Sequence, residues 1–335
     1  MKVLFYVNYP LALAPGGHAV QIFETFAALQ KLGVDVGWLH NEDNIAPSVD
    51  IIHYWGAVSP DLHWQLAKAN NTKVVTSVMN QGASSRGVLM QKVRGIMRKM
   101  LKKTISHGSY SLLGHEIYRN ADAIISLCEA EKNYIVNVFG GNPDIIRIIP
   151  NGVSEDFLHA SCNIKKKEKL LMVGSIRELK QQVAVARAAV KMKVPVEFIG
   201  APMSLETEYF NKFKAMLDNK YAKYLGPICD RRQMIKMYKE ASGLILASEY
   251  EAQGLVILEA LACKTPVLST DLLTVRSHFG NAINYCSKAA SASFAYELKH
   301  FFRSCRNGLT QSFEVASWRD IAKQIHEVYK LVLTS

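Results

Sequence analysis

Two carboxylates, Glu251 and Glu259, stand eight positions apart in the segment SEYEAQGLVILEALACKTPVLST, residues 248–270. The second interrupts an apolar helical run. An ionised carboxylate among Leu255, Val256, Ile257, Leu258, Ala260, Leu261 and Ala262 is costly to desolvate unless donors meet it, and no Lys or Arg lies within one helical turn. A ligand rich in hydroxyls supplies such donors. Gly254 permits a tight turn, and the free N–H groups from Leu255 through Val256 to Ile257 then form a helix N-terminus that favours phosphate. Glu251 lies in the loop ahead, and Glu259 leans back toward the same mouth because helical side chains tilt N-terminally. Two acceptors beside an anion site suit a sugar nucleotide, whose hydroxyls donate and whose diphosphate is the anion. A partly exposed helix Glu and a solvated loop Glu account for the same pattern with no ligand.

The elements that must hold these residues are legible as two series of short β-branched runs separated by helical stretches. Strands are predicted at 2–7, 34–39, 49–54, 73–79, 122–127 and 146–149, then at 169–174, 194–200, 242–247 and 266–270. Short buried strands alternating with helices argue for parallel sheets in βαβ units, so the α/β chain holds two Rossmann-like domains. A length of 335 residues, about twice a usual domain, agrees. The turn signal Asn151-Gly152 and the charge run at 165–169 predict the connection. The expected domains are 1–160 and 161–314, with a helix at 315–335. A nicotinamide-type dinucleotide domain requires G-x-G-x-x-G after the first strand, and residues 8–18 read NYPLALAPGGH. The pair Gly16-Gly17 is either an ordinary βα turn or a loop whose amides meet an anion.

Composition narrows the class. No apolar run reaches the roughly 18 residues of a membrane span, and the start MKVLFYVNYP reads as strand and turn rather than as a secretory signal. The six cysteines, at 128, 162, 229, 263, 286 and 305, are too scattered for a metal-binding pair, which predicts reduced thiols in the cytoplasm. The formal net charge is +11, and residues 62–115 contain no Asp or Glu. Over 88–105 a helix places Leu89, Val93, Ile96, Met97, Met100 and Leu101 on one face and Lys92, Arg94, Arg98, Lys99, Lys102 and Lys103 on the other. Such a helix either lies on anionic lipid or packs its apolar face on its own domain with its charges solvated. Nucleic acid is not the expected partner, since interleaved aromatics and a known module are missing.

The run Glu251-Ala252-Gln253-Gly254-Leu255, continued by Leu258, Glu259, Ala260, Ala262, Lys264, Pro266 and Val267, resembles the signature E-G-F-G-L-x-x-L-E-A-x-A-x-G-x-P-V. That signature marks the retaining GT-B glycosyltransferases of family 4, the glycosyl transferases group 1. Ala252, Gln253 and Lys264 depart from it. The resemblance implies two Rossmann-like domains whose parallel sheets face across a cleft. It also implies a first domain ending near Ile149-Pro150-Asn151-Gly152-Val153, with the C-terminal helix crossing back to it. Gly16 and Gly17 match the family's glycine loop.

In Leu171-Met172-Val173-Gly174-Ser175-Ile176-Arg177-Glu178-Leu179-Lys180 the family carries an Arg right after Gly174 and a Lys at Lys180, both on the diphosphate. Ser175 holds the first position and Arg177 follows two residues later. Cations there stabilise the departing diphosphate more than the ground state; a solvated helical turn is the bland alternative. Gly226 and Ile228 fall in the loop that holds the nucleobase, and an ordinary strand-to-helix turn capped by Asp230 explains them equally. Many relatives have a His after the fourth strand. Here Asn80 stands nearby as an acceptor contact, with His18 and His53 the nearest histidines, and a lone histidine is often structural.

The implied catalytic set is thus Glu251, Lys180 and Arg177. The implied activity is metal-independent hexosyl transfer, with no cofactor, from a UDP- or GDP-type sugar to a glycan or a lipid-linked or lipopolysaccharide-type acceptor. No D-x-D triplet occurs, in keeping with the metal-free expectation. The expected location is cytoplasmic, peripheral on the inner face of the membrane, with Arg94, Arg98, Lys99, Lys102 and Lys103 as the contacting cations. A sugar-nucleotide epimerase and a non-catalytic sugar-nucleotide or membrane-binding relative remain open as alternatives.

Overall fold

A computed structural model describes residues 1–7, 11, 16–39, 48–56, 62–78, 83, 87–104, 116–159, 164–203 and 206–334, and of 62–64 and 101–104 the backbone alone. The chain divides into two compact units, Met1–Gly152 with Trp318–Ser335, and Val153–Ser317.

The first unit contains β1 (Lys2–Val7), α1 (Gly17–Lys31), β2 (Asp35–Trp38), β3 (Ile51–Trp55), α2 (Leu62–Ala69), β4 (Lys73–Ser77) and α3 (Val88–Thr104). It continues through α4 (Ile117–Asn120), β5 (Ala123–Ser126), α5 (Glu129–Tyr134), a π-helical turn (Ile135–Phe139) and β6 (Ile146–Ile148). The six strands are parallel in the order β2-β1-β3-β4-β5-β6. Tyr6, Tyr54, Val74 and Ile124 pack in one cluster with Tyr118, Tyr134 and Phe139. Phe5, one residue earlier in a period-two strand, instead meets Phe26 of α1, His53 and Trp55. The C-terminal helix Trp318–Thr334 belongs to this unit, burying Ile321, Ile325, Val328 and Tyr329 at a helical spacing.

The second unit opens with α6 (Glu155–His159) and continues with β7 (Lys167–Val173), α7 (Gln182–Met192), β8 (Val196–Ile199), α8 (Thr207–Ala215), β9 (Ala222–Tyr224) and α9 (Arg231–Glu240). Then come β10 (Ala241–Leu246), α10 (Leu255–Ala262), β11 (Val267–Thr270), α11 (Leu273–Phe279), β12 (Asn284–Cys286) and α12 (Phe294–Arg306). Its parallel sheet runs β12-β11-β10-β7-β8-β9. Leu170, Met172, Phe198, Ile245 and Leu268 feed one apolar cluster, and Leu171, Ile199, Leu244, Leu246 and Val267 the other. Both faces are therefore covered, as parallel sheets require.

Three expectations are corrected. The units part at Gly152/Val153, not at 160/161, because Phe157 of α6 is buried in the second unit's core and Val153 bridges to Ser317. The charge run is exposed over 165–168, as expected, but its end is strand rather than connection. Lys167 and Lys169 lie in β7, where the first meets Glu240 at 2.6 Å and the second donates to Glu197. Strands β9 (AKY) and β12 (NYC) were not anticipated, since neither carries the β-branched run that marks the equally short β6 (IRI).

Candidate active site

In each sheet the chain reverses its direction of travel once. In the second unit the reversal falls between β7 and β10, neighbouring parallel strands from which β8 and β9 extend one way and β11 and β12 the other. Ligands of open α/β sheets bind beyond the carboxyl ends of strands at such a point. The segments leaving β7 and β10 carry most of the residues singled out from sequence.

Beyond β7 the backbone turns at Gly174, φ 148°, which lies against Gly200, φ 150°; a Cβ on Gly200 would fall 1.9 Å from the Gly174 carbonyl oxygen. Only glycine fits that approach. A 3-10 turn, Glu178–Lys180, follows, and Gln181 sits in the left-handed region at φ 61°. Its side chain holds the turn to the neighbouring loop, donating to the Glu178 carbonyl at 2.9 Å and to the Glu249 carboxylate at 3.1 Å. The Glu249 amide donates in turn to the Leu179 carbonyl at 2.9 Å.

These links deliver Lys180 to Glu251, with 2.6 Å between ammonium and carboxylate. Ser248 also donates to that carboxylate at 3.3 Å, and Thr274 of α11 donates to the Glu251 carbonyl at 2.6 Å. Gln253 is buried, and its side-chain nitrogen lies 2.6 Å from Nε2 of His278, also on α11. With the amide as donor the imidazole accepts, which fits burial holding His278 neutral, its pKa pushed down to about 4. The departures at Ala252 and Gln253 therefore sit in a loop pinned from two sides.

Gly254 caps α10 with φ 86°, and a Cβ there would meet Ile257 at 3.1 Å. Side chains of Leu255 and Val256 pack on the core cluster while their amides occupy the first helical turn. Glu259 receives a hydrogen bond of 2.6 Å from the Tyr238 hydroxyl of α9. Burial and the adjacent carboxylate raise the Tyr238 pKa well above its ordinary value, so it stays a donor. The helix charge is therefore met in part from within the protein, beside whatever donors a ligand adds. A tyrosine 21 positions upstream, which no spacing rule singles out, supplies one donor.

Other expected residues fall elsewhere. Arg177 is turned to Glu206, 3.4 Å away, and that carboxylate also takes the Glu178 amide, so the guanidinium is engaged away from the Lys180–Glu251 pair. Gly226, φ 79°, accepts from the Gly200 amide at 3.1 Å, and Ile228 packs at the edge of the core. These place the expected base loop beside the Gly174–Gly200 approach. Gly200 itself was missed, although Phe198-Ile199-Gly200 repeats the strand-then-glycine pattern of Met172-Val173-Gly174.

In the first unit the reversal falls between β1 and β3. Gly16 and Gly17 stand at the start of α1, where Gly16 is extended at φ 174° and its carbonyl accepts from Val20. His18 follows, its ring 6.5 Å from Trp55, with burial pushing its pKa down to about 4. His53 is structural. It lies fully buried between the Tyr329 hydroxyl at 2.5 Å and the Ser77 hydroxyl at 2.8 Å, stacked on Trp55, and burial lowers its pKa to about 3. Asn80 lies outside the described residues, as do the side chains of Lys102 and Lys103. Among the described residues no group of three or more His, Cys, Asp or Glu side chains is placed to hold a metal ion.

Residues 154–302 match the family model for glycosyl transferases group 1, and residues 38–157 match that for glycosyltransferase family 4. A D-inositol 3-phosphate glycosyltransferase from Acidothermus cellulolyticus is 26% identical over 46% of this chain and 39% of its own length. The aligned part thus spans about two fifths of the first curated relatives. Sucrose-phosphate synthase from Thermosynechococcus elongatus superposes with a TM-score of 0.68 at 16% identity, covering 99% of both chains. Anabaena HepE in complex with UDP-glucose gives 0.65 at 13% identity over 100% of this chain and 98% of that one. Likeness at such identities shows the fold.

Proposed function

Because this chain belongs to the group 1, family 4 glycosyltransferases of GT-B fold, we propose that it moves a hexosyl unit from a UDP- or GDP-type sugar to a glycan, lipid-linked or lipopolysaccharide-type acceptor. Transfer proceeds with retention and without a metal ion. We place the enzyme in the cytoplasm, peripheral on the inner face of the membrane.

The observation that supports this reading most is the convergence of Gly174, Lys180, Glu251 and the α10 N-terminus at the reversal point of the second sheet. Lys180 and the amides of Leu255 and Val256 receive the diphosphate. Glu259, oriented by Tyr238, accepts from ribose hydroxyls. An arriving diphosphate competes for Lys180 and leaves Glu251 to the hydroxyls of the sugar. As the glycosidic bond breaks, charge gathers on the departing phosphate, where the lysine is worth more than in the ground state. The departing oxygen helps to take the acceptor hydroxyl proton on the same face. Arg177 joins only by leaving Glu206, so it is the weaker member of the set.

The test is nucleoside diphosphate release from a panel of UDP- and GDP-hexoses, with glycan, lipid-linked and inositol 3-phosphate acceptors in separate arms. Release that depends on an acceptor is expected with one donor base. Sugar isomerisation without an acceptor points to the epimerase, and binding with no turnover of any donor points to a non-catalytic relative.

A further inference from the structure

Helix α3 meets its own unit with the wrong side for an ordinary amphipathic helix. The residues that seat it are Gln91, Gly95 and Arg98. Gln91 is 1% exposed and accepts from Asn137 at 3.3 Å, Gly95 lies so close that a Cβ would come within 2.1 Å of the Asn137 carbonyl oxygen, and Arg98 lies over the Phe139 ring at 4.9 Å. All three meet the π-helical turn Ile135–Phe139. At 100° per residue this stripe is opposed by the apolar one. Leu89, Met90, Val93, Ile96, Met97 and Met100 accordingly point to solvent, with Leu89 79% and Met100 65% exposed. Arg98, expected among the cations that contact the membrane, is instead part of the seat, whereas Lys92, Arg94 and Lys99 are exposed beside the apolar stripe.

We infer that α3 is a lipid-surface helix whose outward apolar stripe enters the acyl boundary of an anionic bilayer while Lys92, Arg94 and Lys99 hold the headgroups. The inference deepens the membrane part of the proposed function and rests on that reading only for its purpose. Charge selects the occupant. A second copy docked through this stripe brings two sets of these cations together, with no acid anywhere in residues 62–115 to offset them. Anionic headgroups complement the same cations, and an apolar stripe flanked by Lys and Arg with low net hydrophobicity is the pattern of helices that lie in an interface. No described helix is long and apolar enough to cross a membrane, so contact is from one side. The seat has a consequence of its own. Because Gly95 and Gln91 fix the rotation of the helix, the apolar stripe is presented without any part of the unit opening.

Flotation of the full chain with extruded vesicles tests this, comparing phosphatidylcholine alone with a mixture containing phosphatidylglycerol. Binding is expected to the anionic vesicles, to fall several-fold when salt is raised from 0.05 to 0.5 M (roughly), and to fall at least about ten-fold in the Ile96→Glu/Met97→Glu variant. Both positions are exposed, so circular dichroism and the melting temperature should be unchanged. Wild-type protein that does not float with anionic vesicles, or a double variant that floats as well as wild type, overturns the inference. So does a concentration-dependent dimer in light scattering that the same variant abolishes, which would assign the stripe to a second copy. The readout involves no catalysis, so loss of all glycosyl transfer leaves it standing, and failure to float leaves the transferase reading intact.

Discussion

Tyr238 and Glu259 show how a single contact divides structural from functional meaning. The tyrosine is fully buried and its hydroxyl is spent on one carboxylate oxygen. Tyr238→Phe should lower stability by about 1–2 kcal/mol, because a hydrogen bond to a charged group is lost while the ring stays packed. If Tyr238 also positions Glu259, the variant weakens nucleoside diphosphate binding several-fold; equal affinity with lowered stability would leave it a packing residue. Lys180 and Glu251 make a second test. Each side chain is mostly buried, at 20% and 16% exposure, so Lys180→Ala strands a carboxylate. Donor turnover should drop about a hundred-fold or more in a steady-state assay, and a variant with undiminished kcat would remove Lys180 from the leaving-group role. The two carboxylates and Gly254 stood out as charge and glycine in a fixed pattern and Lys180 through the family resemblance, and the fold brings Lys180 to Glu251. Tyr238 and His278 were not, since each acts on a neighbour 21 or 25 positions away through folding alone, and Gly200, readable as a strand-end glycine, carried no mark of its approach to Gly174, 26 positions away.

At the scale of elements, the site depends on glycine-led turns that leave two adjacent strands. Gly254→Ala places a side chain at φ 86° against Ile257 and should cost about 1–3 kcal/mol, measured as a shift of the denaturation midpoint at constant m-value. A variant as stable as wild type would mean that the cap relaxes freely. Gly200→Ala is harsher, since its Cβ meets backbone rather than a flexible side chain. Strands such as β1 and β10 were readable from continuous apolar runs, while β9 and β12 contain neither such a run nor β-branched residues. Helix α3 carries the sharpest lesson. Its amphipathic pattern was plain, yet pattern alone leaves open which side faces the protein. The answer lies in a stripe of Gln91, Gly95 and Arg98 that hydropathy ranks as surface.

Across the whole molecule, the two units echo one plan of six parallel strands with one reversal, and both were expected from the doubled alternation of strands and helices. The exact seam was not, because Asn151-Gly152 marks a turn whereas burial of Phe157 decides to which unit the next helix belongs. Histidines from both units give the fold one common pH response. Burial lowers His18 to about 4, His53 to about 3 and His278 to about 4, below the ordinary 6.5. The unfolded chain therefore takes up these protons first as pH falls. Their contribution is intact above about pH 6.5 and is lost toward pH 4 and below. Denaturation midpoints should fall steadily between about pH 7 and 5, and a flat or rising profile there would contradict the buried neutral state of these rings.

Nucleotide binding at the second unit is the claim on which the rest depends, and isothermal calorimetry of UDP and GDP against wild type and Glu259→Ala measures it most directly. One of the two nucleotides should bind wild type, and the variant, checked to be folded, should bind it at least about ten-fold more weakly, since charge-assisted hydrogen bonds to ribose hydroxyls are lost. Undiminished affinity in Glu259→Ala, or no binding of either nucleotide by wild type, would contradict the account.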